Sequence, residues 1–154
     1  MDSKRGFTLI ELLIVIAILG ILAAGVLVAI DPIDKINAAK DSKLQSDVRV
    51  LAVALESYAA SHNGQYPPGV HDEVQDVLIA SGDLKVKLKP PSGYITCAGG
   101  VNNSQYYVVY NAGEDRAYAD CTLKSKKYTS KFATPHFIWC SDSGKADVTG
   151  GSCP

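Results

Sequence analysis

Between residues 7 and 30 the chain has no proline and one charged side chain, Glu11. Over the whole chain neither sign of charge dominates: 15 Lys and Arg stand against 16 Asp and Glu, which excludes a global field drawing the protein to nucleic acid or to an anionic surface. The four cysteines, Cys97, Cys121, Cys140 and Cys153, contain no Cys-x-x-Cys pair and no histidine at ligand spacing, which argues against zinc. His62, His71 and His136 are scattered, and no serine or cysteine stands in a recognisable nucleophilic arrangement. Asp142 and Asp147 flank Ser143 and Gly144 with oxygens suited to calcium, but match no EF-hand pattern. No metal, no cofactor and no enzymatic activity are expected.

What is present is bipartite. Residues 7–30 are an apolar stalk, and everything after Asp31 reads as a polar, mixed-charge sequence. As a helix rising ~1.5 Å per residue, the stalk reaches ~36 Å, enough to cross a ~30 Å hydrocarbon core. Lys4 and Arg5 precede it, so the N-terminus is expected in the cytoplasm and the bulk of the chain outside. A removable signal peptide fits poorly. The apolar run is too long, and no small-x-small site follows it before Asp31.

Two features do not suit an ordinary anchor. Glu11 lies inside the apolar run, where a carboxylate costs about 2–3 kcal/mol or more, and the span holds no opposite charge to pair with it. Its partner is therefore expected from outside the span. Ala17, Gly20, Ala23, Ala24 and Gly25 keep mid-span small, and Gly20 with Ala24 forms a small-xxx-small pair that lets helices approach closely.

The run Lys4-Arg5-Gly6-Phe7-Thr8-Leu9-Ile10-Glu11-Leu12-Leu13 resembles the class III signal of type IV pilins and type II secretion pseudopilins. The resemblance implies cleavage between Gly6 and Phe7 by a prepilin peptidase and N-methylation of the new Phe7 amine. Glu11 would meet that amine on a neighbouring subunit, giving a homo-oligomeric helical filament. One departure concerns the proline that such stems commonly carry near residue 28: here the position is Val28, and Asp31-Pro32 follows instead. A kink or short break is expected within 25–32.

Beyond Pro32, Ile36, Leu44, Val48, Leu51, Leu55 and Tyr58 recur at helical spacing, with Lys40, Lys43, Asp47 and Arg49 between them. A helical rod from residue 7 to about 61 should end at His62-Asn63-Gly64. With Asn63-Gly64-Gln65-Tyr66-Pro67 after it, the resemblance covers roughly residues 4–68. Residues 70–82 hold a candidate helix with Val74, Val77 and Leu78 on one face. Leu84, Val86 and Leu88 alternate with Lys85, Lys87 and Lys89 as an extended segment. Strand-like runs follow at 94–97, 105–110, 117–123 and 137–140, with a hairpin turn at 111–115.

The expected fold class is α+β, a long N-terminal helix packed on a small antiparallel sheet, which is also the pilin-like architecture. Its parts are a leader (1–6), a transmembrane or filament-core helix (7–30), its amphipathic continuation (31–62) and a globular head (63–154).

Four cysteines allow three pairings, which sequence leaves open. An even count in the outer part of the chain favours disulfides in an oxidising compartment. Cys97 with Cys121 would staple strands, and Cys140 with Cys153 would close a Gly/Ser-rich loop over 141–152. The resemblance to pilins with a disulfide-closed last loop favours the latter pair. Lys124, Lys126, Lys127 and Lys131, with Tyr128 among them, form a basic run that reads as solvated surface and only weakly as a DNA contact. Asn102-Asn103-Ser104 reads as a surface turn.

The leading expectation is a structural subunit of a type IV pilus, held in the cytoplasmic membrane and polymerised by an assembly ATPase and platform protein into an extracellular filament. The alternative is a pseudopilin of a type II secretion or DNA-uptake system, with a periplasmic filament. A third reading is a membrane-anchored binding domain that never polymerises.

Overall fold

The structure is a computed structural model that describes residues 6–93, 106–111, 116–151 and 153. Two compact units make up the chain, Met1–Lys35 and Ile36–Pro154.

The first unit is α1 (Leu9–Ile30) and the start of α2 (Pro32–Ser61). The expected break narrows to one residue, Asp31, at φ 44°. A residue before proline is pushed out of the right-handed helical region, and Asp is among the few side chains that tolerate the left-handed one. Asp31 then opens the next helix: its Oδ1 accepts the Asp34 N–H at 3.3 Å and its carbonyl accepts that of Lys35 at 3.2 Å. Pro32 takes the first helical position, where its missing N–H leaves no bond unmade.

In the second unit α2 supplies the core. Leu44, Val48, Leu51 and Leu55, spaced four, three and four apart, are fully buried. Ile36, expected to open this stripe, is exposed. Asp47, expected among the outward charges, is buried, as is Asp41. Both are satisfied: Asp41 accepts the backbone N–H groups of Lys124 at 3.0 Å and Ser125 at 2.8 Å, and Asp47 accepts from the Tyr106 hydroxyl and the Lys43 ammonium. A buried carboxylate survives on such terms, each donor replacing lost water.

The helix stops where Asn63 and Gly64 turn left-handed, the Gly64 N–H reaching the Ala59 carbonyl at 2.8 Å. α3 (Asp72–Ser81) buries Val74, Gln75 and Leu78 and ends at Gly82, φ 89°. The extended segment expected at 84–89 belongs to no strand. Its backbone partner is a side chain: Gln75 Oε1 accepts the Leu88 N–H at 2.8 Å and its Nε2 reaches the Leu88 carbonyl at 3.4 Å. Leu84 is buried while Val86 is exposed, so the alternation does not define one apolar face.

β1 (Tyr107–Asn111), β2 (Arg116–Thr122), β3 (His136–Cys140) and β4 (Lys145–Thr149) form an antiparallel meander in that order. The pairs Ala119–Trp139 and Cys121–Phe137 put their side chains in the core with α2. Asp120 lies opposite Ile138 on the other face, both buried. β4 corrects the expectation of a plain loop over 141–152. Its apolar alternation is only Ala146 and Val148, both partly buried against the core. A four-residue helix, α4 (Lys126–Thr129), lies within the basic run. The expected strand at 94–97, the turn residues 112–115 and Asn102-Asn103-Ser104 lie outside the described residues.

Asp41→Ala is expected to cost about 1–3 kcal/mol of head stability, by stranding buried donors, and to speed hydrogen exchange at Lys124 and Ser125. Unchanged exchange at both amides contradicts this. Asp83 accepts from the Ser57 and Ser81 hydroxyls, each at 2.6 Å, and these bonds, Ser57 first, hold its carboxyl below the usual carboxylate range. A carboxyl lowered by folding contributes stability above its unfolded value, and the contribution is lost as pH falls through the folded one. Ser57→Ala should therefore raise the Asp83 midpoint in an NMR titration.

Candidate functional site

The site is built from the N-terminal end of α1. Gly6, Phe7 and Thr8 precede the helix and belong to no helix or strand, and Phe7 is 83% exposed. The Gly6–Phe7 bond is therefore uncovered by the rest of the described chain. A Cβ placed on Gly6 would meet nothing within 4 Å, so no contact among the described residues demands glycine there.

Thr8 is the N-cap, and with Glu11 it forms a capping box. The Thr8 Oγ1 accepts the Glu11 N–H at 3.3 Å. Glu11 Oε2 in turn accepts the Thr8 N–H at 2.8 Å and its hydroxyl at 2.7 Å. Glu11 thus sits one turn into the helix, where N–H groups and the helix dipole favour negative charge. The expectation that Glu11 lacks a partner nearby needs amending. It has no opposite charge, but Thr8 gives it two donors, while Oε1 takes no hydrogen bond among the described residues. The Thr-x-x-Glu spacing is the local sequence signal for this box.

Along the rest of α1 no residue is buried. It is the one described helix long and apolar enough to cross a membrane. Gly20 and Gly25, like Gly6, have open space where a Cβ would point, so their smallness serves no contact among the described residues. Ala23, Val26, Leu27, Ile30 and Pro32 line a shallow apolar groove of about 450 Å³.

The other candidates do not gather here. Cys140 and Cys153 are joined by a disulfide with Cα atoms 5.9 Å apart, tying the end of β3 to the C-terminal tail. Cys121 is buried on β2, while Cys97 lies outside the described residues. His62 stacks on Tyr58, its ring centroid 3.8 Å away, and His136 Nδ1 lies 3.0 Å from both oxygens of Asp120. His71 is the residue before α3. Asp142 meets the Ser141 hydroxyl at 3.5 Å, and Asp147 accepts the Val148 N–H. Among the described residues no three acidic, histidine or cysteine side chains could hold a metal ion.

An uncovered apolar helix behind a capped, exposed N-terminal turn defines a class, and the comparisons with known proteins place the chain in it. Residues 1–27 match the family described as the prokaryotic N-terminal methylation motif. The type II secretion system core protein G of Escherichia coli (strain K12) is 32% identical over 124 residues, covering 76% of this chain and 79% of the relative. The core protein G of Klebsiella pneumoniae is 35% identical over 62% of this chain, and that of Pseudomonas aeruginosa is 42% identical over 42%. No solved structure matches. The chain belongs to the family of the type II secretion system core protein G. It spans 66% of the Klebsiella pneumoniae relative, just under two thirds of its length.

Replacing Cys140 and Cys153 together by serine opens a loop whose closure is worth about 3 kcal/mol. The head should unfold at lower denaturant; an unchanged midpoint counts against a stabilising role.

Proposed function

We propose that this chain is a pseudopilin, a structural and non-enzymatic subunit of a type II secretion filament. The observation that carries the reading is α1, an apolar helix with no buried residue, opened by a capping box that contains its sole charge. Family membership favours the secretion filament over the type IV pilus that the N-terminal signal suits equally well.

In this reading a prepilin peptidase cuts the exposed Gly6–Phe7 bond. No contact among the described residues requires this glycine, which supports its recognition by a protease pocket. The amine of Phe7 is then methylated. Before assembly α1 lies in the cytoplasmic membrane, N-terminus inward and head outward, consistent with Lys4 and Arg5 ahead of the span. An assembly ATPase and platform protein move subunits into a periplasmic filament, where stems cover one another at Gly20, Ala24 and Gly25. Glu11 meets the Phe7 amine of a neighbour through Oε1, while Thr8 keeps Oε2 and holds the carboxylate in place. In a low-dielectric bundle such an opposite charge offsets the desolvation of both groups.

One observation favours the surface pilus as a second reading: the C-terminal segment is closed by Cys140–Cys153, as in the pilins that the sequence resembles. Electron microscopy of cells distinguishes a long surface fibre from a short periplasmic one.

Glu11→Ala and Gly6→Leu are both expected to abolish filaments while leaving the head folded. Mass spectrometry should find an N-methylated Phe7 terminus in the unaltered chain and an intact Met1 in Gly6→Leu. Normal filaments from both variants would falsify the reading.

A further inference from the structure

The side of α2 opposite the core stripe is uncovered among the described residues, and its composition is unusual for a surface helix. Between residues 44 and 60 the only charged side chains at its exposed positions are Arg49 and Glu56. Between them stand Val50 and Val53, 46% and 66% exposed. A helix face turned to water ordinarily carries polar and charged side chains at such positions, not branched apolar ones.

The surface around the valines is grooved. Ser46, Val50, Ala54 and Asp83 line one shallow hollow of about 330 Å³, and Ala52, Glu56, Trp139 and Ala146 a second of about 300 Å³. Arg49 and Val53 border both, so Val53 is a ridge between two grooves, the relief that packed helices interdigitate. The Arg49 guanidinium lies 5.0 Å from the centroid of the Phe137 ring, which positions the charge without neutralising it. Neither Arg49 nor Glu56 has a partner of opposite charge among the described residues. They share one edge of the helix two turns apart, about 10.5 Å at 1.5 Å per residue, too far to meet each other.

We propose that this face pairs with the same face of a second copy, the two α2 helices running antiparallel about a two-fold axis between Ala52 and Val53. Positions 49 and 56 are equally far from that point, so Arg49 of each copy meets Glu56 of the other and both ion pairs form at once. Val53 falls beside Ala52 of the second copy, whose single methyl leaves the groove open to it. One cation, one anion and an apolar ridge placed in this way are self-complementary, which an isologous contact requires. The charges fix orientation more than they add affinity, so the pair is reversible. A two-fold contact closes on itself, whereas a filament needs a head-to-tail contact that repeats. The pair is therefore a form of the subunit outside the filament. Its contacts lie wholly within the second unit and do not depend on where α1 sits.

The test uses the full chain in detergent micelles, its mass read by light scattering over a concentration series. The unaltered chain should form dimers. Arg49→Glu alone, or Glu56→Arg alone, sets like charges opposite each other twice and should weaken pairing by about tenfold or more. Both changes in one chain should restore it, as should an equal mixture of the two single variants, which then pair only with each other. Association through α1 is indifferent to these charges, so a dimer that survives the single reversals overturns the proposal. Pairing that neither the double change nor the mixture restores overturns it as well. A chain that stays monomeric at every concentration does the same and leaves the face to a different protein. Orientation is read in Arg49→Lys chains treated with a carbodiimide, which joins an amine to a carboxylate with no spacer. Dimers should carry two links between positions 49 and 56, one in each direction. Dimers with a single link, as from a parallel and staggered pair, overturn the two-fold arrangement.

Discussion

Every other property of this molecule follows from an apolar surface that the chain does not cover. α1 has 22 residues, none buried, and an exposed apolar surface of that size cannot remain in water. It requires lipid or like helices, and the chain is equipped for both. Its length suits a bilayer, while its glycines open toward empty space and admit a close neighbour. The single charge in the span fits the same constraint. Held by Thr8 at the first turn, Glu11 has its Oε2 satisfied by the helix end it caps.

The second unit carries its own core. Its core is assembled on the later turns of α2, where Leu44 to Leu55 meet Val108, Ala119, Cys121, Phe137 and Trp139. Polar groups are used as struts where the sheet does not reach. Gln75 replaces a strand as partner of Leu88, and Asp41 fixes the start of α4. A fully satisfied buried amide or carboxylate restricts a loop to one position, because any displacement strands donors away from water.

Much of this was legible in the sequence, and the misses share a cause. The stem, its capping end at Asn63-Gly64, α3 and three strands of the sheet declare themselves through periodicity and turn residues, which are local signals. The leader signal is a local pattern too, so the functional segment could be located before any coordinates. What escaped was settled by distant partners. Asp41 and Asp47 look like solvated charges until residues 106 and 124–125 arrive to bond them. The alternation at 84–89 looks like a strand, but Gln75 takes the hydrogen bonds a neighbouring strand would have taken. β4 is too weakly patterned to announce itself and exists because β3 offers it an edge. The capping partnership of Thr8 and Glu11 is local and is carried by the Thr-x-x-Glu spacing itself.

The bond between Cys140 and Cys153 also makes the head sensitive to its redox surroundings. Thiols stay reduced in a reducing compartment, so this cross-link forms only where the surroundings are oxidising. A redox change then acts on the junction between the end of β3 and the tail beyond β4 and leaves the packed core untouched. One sequence thus has an unlatched and a latched head, with the first disulfide-closing step following the fold rather than directing it.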